Sequence, residues 1–223
     1  TGSISGIVTV NPLPVVSVNN QVICADGTAT ITATPSNTTA TYTYAWSVPA
    51  GVTNPGNVST FTTNVAGNYT VQITDVQTSC VSQPVTAVVT VNPLPVVTVN
   101  SPTICQGQSA TVTATPSDTT QTYSYIWTVP TGATDPGNVA SFSTSFAGTY
   151  SVVATNTTTN CVGTSASGTV TVNPTPTVSV SSSTICAGAS TTVTATPSDT
   201  TQTYTYVWTV PTGVTNPGSV ASF

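Results

Sequence analysis

Apolar and polar residues alternate over several short stretches of this chain, most clearly over residues 42–48. Tyr42, Tyr44 and Trp46 fall on one face of an extended chain, and small or polar residues separate them. A period of two residues is typical of a β-strand with one buried face. We therefore predict a strand whose aromatic side chains anchor a hydrophobic core.

The same alternation predicts further short strands on both sides of this one. In chain order, and lettered A to G, they are residues 15–19 (A), 28–34 (B), the aromatic stretch from 42 (C), 58–63 (D and E), 69–74 (F) and 85–91 (G). No stretch has a helical period. Gly67-Asn68-Tyr69 opens strand F, as in the tyrosine corner of immunoglobulin-like domains. The pattern predicts an all-β fold, an immunoglobulin-like β-sandwich of about seven strands.

The whole pattern recurs every 81 residues. The aromatic residues that we predict to lie in the cores are Trp46, Trp127, Trp208, Tyr69 and Tyr150. Asn-Pro-x-Pro segments begin at Asn11, Asn92 and Asn173 and mark the boundaries between repeats. A fixed period of this kind indicates tandem domains. We predict residues 1–10 as the last strand of a preceding repeat, residues 11–91 and 92–172 as complete repeats, and residues 173–223 as a third, truncated repeat. Prolines at alternate positions make a short, semi-rigid connection, so the domains should lie end to end.

The composition excludes several classes of function. The 223 residues include no Lys, Arg or His and only five acidic residues, all of them aspartate. Without basic side chains the chain lacks the main attraction to nucleic acids and to anionic membranes. Without His, Lys and Glu it lacks the usual general acids, bases and Schiff-base nucleophiles. We therefore predict no enzymatic activity, no cofactor and no binding of nucleic acid, and no apolar run is long enough to predict a membrane span.

The repeats also argue against a metal site. Asp26 is replaced by Gly107 and Gly188 in the next two copies, and no acidic cluster is kept from copy to copy. A calcium site in each repeat would need several oxygen ligands with carboxylates among them. We predict no bound metal.

Several motifs carry a resemblance to a known family over the whole chain. Thr-Ile-Cys-x-Gly-x-Ser begins at Thr103 and again at Thr184, and it accompanies Tyr-x-Tyr-x-Trp, Ala-Gly-x-Tyr and a closing Val-Thr-Val-Asn-Pro. The chain resembles the tandem PKD-like or Ig-like repeats of giant cell-surface adhesins of Bacteroidota, including gliding-motility adhesins exported by the type IX secretion system. The resemblance implies an extracellular location at the cell surface. The first copy departs from the motif at Val22, and the Trp-Asp-Phe-Gly-Asp signature of PKD domains is absent.

The five cysteines follow the repeat. Cys24, Cys105 and Cys186 occupy one position of the repeat, and Cys80 and Cys161 occupy a second. In an exported protein, cysteines without accompanying histidines or close Cys pairs form structural disulfides rather than metal or catalytic sites.

The predicted strands favour pairing between domains. Cys24 precedes strand B, in the A–B loop, and Cys80 lies past the end of strand F, 11 residues after Tyr69. These positions are at opposite ends of a sandwich, roughly 25 Å apart, whereas a disulfide needs Cα atoms within about 7 Å. In a head-to-tail array Cys24 should meet Cys161. The alternative is Cys24 with Cys80 and Cys105 with Cys161, inside each domain. In the interdomain scheme Cys80, Cys105 and Cys186 pair with cysteines outside this segment.

The leading functional hypothesis is a structural stalk of an extracellular adhesin or surface fibre. Its partners would be neighbouring repeats of the same chain, with a cell-surface or polysaccharide ligand at a distal tip. One alternative is a binding module whose loops, such as residues 35–41, grip polysaccharide. Another is a spacer within a secreted enzyme.

Overall fold

The structure is a computed structural model and describes residues 4–223. Its strands recur in the same order along the chain. The first repeat contains β1 (Val16–Val18), β2 (Gln21–Cys24), β3 (Ala29–Pro35), β4 (Tyr42–Ser47), β5 (Thr60–Thr63), β6 (Gly67–Asp75) and β7 (Val85–Asn92). The second contains β8 (Val97–Val99), β9 (Thr103–Cys105), β10 (Ala110–Pro116), β11 (Tyr123–Thr128), β12 (Ser141–Thr144), β13 (Gly148–Asn156) and β14 (Ala166–Asn173). Two further strands follow, β15 (Val178–Val180) and β16 (Ala195–Pro197). No helix occurs within residues 4–223.

Each of the first two repeats is a sandwich of two sheets. In the first repeat the sheets have the strand orders β1-β3-β5 and β2-β7-β6-β4, and in the second β8-β10-β12 and β9-β14-β13-β11. All neighbours are antiparallel except β2 with β7 and β9 with β14, which are parallel. The chain therefore consists of tandem immunoglobulin-like β-sandwich domains, and the predicted fold class is confirmed.

Alternation along the strands builds the core, as β3 illustrates. Ala29, Ile31 and Ala33 are 0%, 0% and 2% exposed, while the threonines between them face solvent. Because the chain has almost no charged residues, these outward hydroxyl groups supply much of its polar surface.

The two aromatic anchors of each complete repeat pack around a central phenylalanine. In the first repeat the Trp46 ring meets the Phe61 ring edge-on at 4.9 Å between centroids, and Phe61 lies 5.8 Å from Tyr69. The Trp46 Nε1 donates a hydrogen bond to the Val58 carbonyl oxygen at 2.9 Å. Trp46 is buried and Tyr69 is fully buried. The second repeat has the same arrangement around Phe142.

The tyrosine corner is present in both repeats. The Tyr69 hydroxyl donates to the Val65 carbonyl oxygen at 2.8 Å and lies 2.8 Å from the Thr63 hydroxyl. The Tyr150 hydroxyl donates to the Phe146 carbonyl oxygen at 3.0 Å. Each tyrosine thus satisfies its buried hydroxyl while tying the start of strand F to the preceding turn.

Two details of the predicted strands are wrong. Cys24 does not lie in a loop but ends β2, which pairs with β7 far along the sequence. A local sequence pattern cannot reveal such a pairing, because two parallel strands are joined by a long connection and therefore lie far apart in the sequence. Residues 58–63 hold one strand, β5, instead of two, since Val58 lies in a turn and donates its N–H to the Gly56 carbonyl at 3.0 Å.

The two ends of the described chain differ from the complete repeats. Trp208 contacts Phe223 at 4.9 Å between ring centroids but is only half-buried. Residues 173–223 supply β15 and β16, the counterparts of β1 and of the end of β3, and contain no counterpart of β6 or β7. Residues 4–10 form no strand, and Ile4 and Ile7 are exposed. Residues 1–3 lie outside the described residues, so the assignment of residues 1–10 to a preceding repeat stays a prediction.

Candidate functional site: the junction between the first two repeats

A disulfide bond joins the first two repeats. It links Cys24 to Cys161, with 5.6 Å between the Cα atoms and a sequence separation of 137. Cys161 is fully buried, and Cys24 is half-buried. The spacing is that of an ordinary disulfide. Consecutive domains are therefore connected twice, once through the linker and once through sulfur.

Strand β2 places Cys24 at the end of the first repeat from which the chain departs. Cys24 is the register partner of Asn92, the last residue of β7, and the two strands run in parallel. Directly after Cys24 the chain turns, because the Gly27 N–H donates to the Cys24 carbonyl oxygen at 2.8 Å. The cysteine thus lies at the junction itself, next to the start of the linker.

A hydrogen-bonded loop presents Cys161 from the second repeat. At its base the Asn156 N–H donates to the Cys161 carbonyl oxygen at 2.9 Å. The Asn156 side-chain oxygen accepts N–H bonds from Thr158 at 2.9 Å and from Thr159 at 3.1 Å. Asn160 has a positive φ of 58°, a conformation that asparagine tolerates well. Because the loop holds itself together, the position of the Cys161 sulfur is fixed by the second repeat.

The same loop exists around Cys80, which is a free cysteine in the described chain. The Asp75 N–H donates to the Cys80 carbonyl oxygen at 3.0 Å, and the Asp75 carboxylate accepts N–H bonds from Gln77 and Thr78. The hydrogen bond from the Thr78 backbone, followed by that from Gln77, lowers the pKa of Asp75. The loop therefore takes this conformation whether or not its cysteine is bonded.

The linker packs against the loop that carries Cys161. A Cβ atom placed on Gly163 would lie 2.3 Å from the Pro95 carbonyl oxygen, so only glycine fits there without a shift of the backbone. The disulfide and the prolines of residues 92–95 thus belong to one contact region.

A groove runs beside this linker and recurs at the next boundary. The first groove, of about 350 Å³, is lined by residues 92–96 together with Asp118, Gln121 and Tyr123. The second, of about 490 Å³, is lined by the counterparts of most of these positions, including Asp199 and Tyr204.

Hydrogen bonds organise the polar side of the first groove. The Asp118 carboxylate accepts bonds from the Thr120 hydroxyl at 2.6 Å and the Thr120 N–H at 2.9 Å, and these lower the pKa of Asp118. The Tyr123 hydroxyl donates to the Asp118 carbonyl oxygen at 3.1 Å. Partial burial, followed by the nearby Asp118 charge, raises the pKa of Tyr123. The groove presents a phenol face beside one carboxylate and several amide and hydroxyl groups.

The remaining cysteines are exposed. Cys105 ends β9 and is the register partner of Asn173, so it occupies in the second repeat the place of Cys24 in the first. Cys186 is also free and exposed within the described residues. The pairings Cys24–Cys80 and Cys105–Cys161 are not formed.

Sequence reasoning missed the loop and the groove. The loop has a local signal, an Asp or Asn at the end of strand F with a cysteine five residues later, as at Asp75 and Asn156. The groove has no such local signal, since its walls come from the linker, the B–C connection and strand F.

Within residues 4–223 no group of three or more Cys or Asp side chains is placed to hold a metal ion. That part of the chain also contains no helix long and apolar enough to cross a membrane.

Comparison with known proteins finds similarity to solved structures alone. No family model matches the chain, and no curated protein matches it. An I-band fragment of titin is 13% identical with a TM-score of 0.41, covering 85% of this chain and 77% of that one. The I9-I11 tandem from titin is 12% identical with a TM-score of 0.38, covering 74% and 68%. Sidekick-1 immunoglobulin domains 1–4 are 14% identical with a TM-score of 0.36, covering 72% and 48%. At these scores the fold assignment rests on the strand order and the tyrosine corners, which make the chain a tandem of immunoglobulin-like domains.

Proposed function

We propose that this chain is part of a structural stalk of an extracellular adhesin or surface fibre. The observation that carries the proposal is the Cys24–Cys161 disulfide between consecutive domains, beside the linker that already joins them. A bond placed there contributes to the relative position of the domains as well as to their stability. The resemblance of the repeat motifs to Bacteroidota cell-surface adhesins, gliding-motility adhesins among them, supports the same function.

The second connection restricts bending at the junction. A single flexible linker would let the domains swing about one point, whereas two connections leave little freedom of rotation. In the chain-entropy account, closing a loop of this length stabilises the folded state by about 5 kcal/mol. Disulfides form and persist in oxidising compartments, which supports a location outside the cytoplasm.

The other cysteines fit a continuing series of such bonds. Cys105 occupies the place of Cys24, and Cys80 lies in the loop that presents Cys161 in the next repeat. We propose that Cys105 and Cys186 pair with cysteines beyond Phe223, and Cys80 with one before Thr1. Neighbouring repeats of the same chain would then be the main partners.

Small-angle X-ray scattering tests the stalk. We expect the oxidised chain to scatter as an extended rod with a narrow distribution of interdomain angles. Replacing both bonded cysteines, Cys24→Ser with Cys161→Ser, should broaden that distribution, while Cys105→Ser should leave it unchanged. A compact, folded-back shape in the oxidised chain would rule out a stalk.

A second candidate function, polysaccharide binding, is favoured by the recurring groove. Each copy presents a tyrosine face, a carboxylate and amide groups beside the linker, and aromatic faces with convergent polar groups suit sugars. We expect glycan-array binding by the chain to weaken in the double variant Tyr123→Ala with Tyr204→Ala. Tyr42→Ala is the matched variant in the first repeat. No binding to any glycan, or binding untouched by the double variant, would exclude this use of the groove.

A further inference from the structure

We infer that the interdomain disulfide diverts tension around most of both domains, so that a pulled chain cannot lengthen by unfolding them. This inference rests on the proposed stalk function. The order of the elements along the chain determines which of them carry the tension. Tension enters through β1 and β2 and reaches Cys24. The S–S bond carries it to Cys161, and it leaves along β14.

The enclosed segment contains nearly all of both cores. Since the bonded cysteines are 137 positions apart, 136 residues lie between them. They comprise β3 to β7, the linker and β8 to β13. The four aromatic anchors of the two complete repeats are therefore inside the loop: Trp46, Tyr69, Trp127 and Tyr150. The ends of this segment stay 5.6 Å apart between Cα atoms however hard the chain is pulled.

Three strands of the two complete repeats remain in the direct path of the load, the short edge strands β1 and β2 and the inner strand β14. β1 pairs with β3 over three residues, and β2 pairs with β7 over four. In the second repeat β14 pairs with β13 and with β9. Detaching these strands would extend the chain by the length of the strands and their connections, and extension would then stop at the disulfide.

The length that the bond withholds is large. An extended chain spans at most about 3.6 Å per residue. Without the disulfide, all 223 residues can extend, to roughly 800 Å. With the disulfide intact, the chain between Cys24 and Cys161, a separation of 137 residues, cannot extend, so the maximum length of the chain is about 490 Å shorter.

Repetition would turn this effect into a property of the whole stalk. Cys186 follows Cys161 by 25 residues, and the proposed series of bonds would carry tension onward from Cys186. Those 25 residues could reach at most about 90 Å. Two folded repeats occupy roughly 60 Å or more, since a strand of nine residues such as β13 is about 30 Å long. Each pair of repeats could therefore lengthen by at most about 30 Å.

Single-molecule force spectroscopy on the full 223-residue chain, held by handles at both termini, tests the inference. We expect the oxidised chain to reach a final contour length about 490 Å shorter than the same chain under reductant. Cys24→Ser with Cys161→Ser should reach the longer length in both conditions, and Cys105→Ser should behave as the parent chain. An oxidised chain that extends fully, or one in which a thiol assay counts five free cysteines, would overturn the inference.

The result is separable from that of the proposed function. If the contour length is shortened but scattering shows freely hinged domains, the diversion of tension stands and the stalk fails. If the domains form a rod but the oxidised chain extends fully, the stalk stands and the diversion fails.

Discussion

Replacing Asp135 with asparagine should stabilise the second repeat, because the other two copies carry an asparagine that makes a bond Asp135 cannot make. The Asn54 amide donates to the Trp46 carbonyl oxygen at 2.7 Å and accepts from the Gly56 N–H at 2.9 Å. Asn216 does the same in the third copy. Asp135 keeps the accepting half of this pattern, from Gly137 at 2.8 Å, but an ionised carboxylate has no proton to donate.

The size of the effect follows from one added hydrogen bond. A bond of this kind contributes about 1 kcal/mol net. For a domain of about 80 residues that corresponds to a rise in Tm of about 4–8 °C. The reverse change, Asn54→Asp, should lower the stability of the first repeat by at least as much, since it sets a carboxylate against the Trp46 carbonyl oxygen.

Calorimetry of the oxidised chain, with hydrogen exchange read peptide by peptide, measures both changes. The added protection of Asp135→Asn should be confined to the second repeat. Asp26→Asn controls for the loss of one negative charge, because Asp26 is exposed and its side chain makes no hydrogen bond to any residue of 4–223. If Asp135→Asn and Asp26→Asn shift Tm equally, the hydrogen-bond argument is refuted.

Three further changes test other parts of the molecule. Tyr69→Phe removes a fully buried hydroxyl that donates a hydrogen bond to the preceding turn. We expect the free energy of unfolding, measured by chemical denaturation, to fall by about 1–3 kcal/mol. An unchanged midpoint would show that the tyrosine corner does not stabilise the domain. The pKa of Asp75 is lowered in the fold by its backbone hydrogen bonds. Its stabilising contribution is therefore present above the unfolded pKa near 4 and is lost as the pH falls through the folded pKa. Stability should be nearly flat from about pH 5 to 8, and Asp75→Asn should reduce the loss below pH 4, whereas an identical acid profile for the variant would contradict the assignment. Gly163→Ala forces a Cβ against the Pro95 carbonyl oxygen, so it should make the interdomain disulfide easier to reduce in a dithiothreitol titration. Gly6→Ala, whose Cβ would meet no atom of the described residues within 4 Å, is its control, and equal midpoints would show that the linker contact does not position the bond.

Much of the fold can be predicted because its information is local. The alternation of Ala29, Ile31 and Ala33 with threonine and the Gly-x-Tyr opening of strand F each lie within a few residues. The 81-residue period then multiplies every local signal. The pairing of β2 with β7 cannot be predicted in this way, since it joins residues such as Cys24 and Asn92 that are far apart in the sequence.

The candidate site, too, can be predicted from the sequence only where its information is local. The two positions of the cysteines in the repeat, together with the length of a strand, are enough to suggest that Cys24 meets Cys161. The loop that aims Cys161 depends on backbone bonds from Asn156 and on the positive φ of Asn160. The groove depends on how the linker lies relative to Tyr123. Both are products of the assembled domain.

The most direct test of a covalently joined array is the identity of the bonded cysteines. The chain has no site for trypsin, so the unreduced protein would be digested with pepsin and with chymotrypsin and the linked peptides sequenced by mass spectrometry. The account predicts a peptide containing Cys24 joined to one containing Cys161, with Cys105 recovered as a free thiol. A peptide joining Cys24 to Cys80 would contradict it.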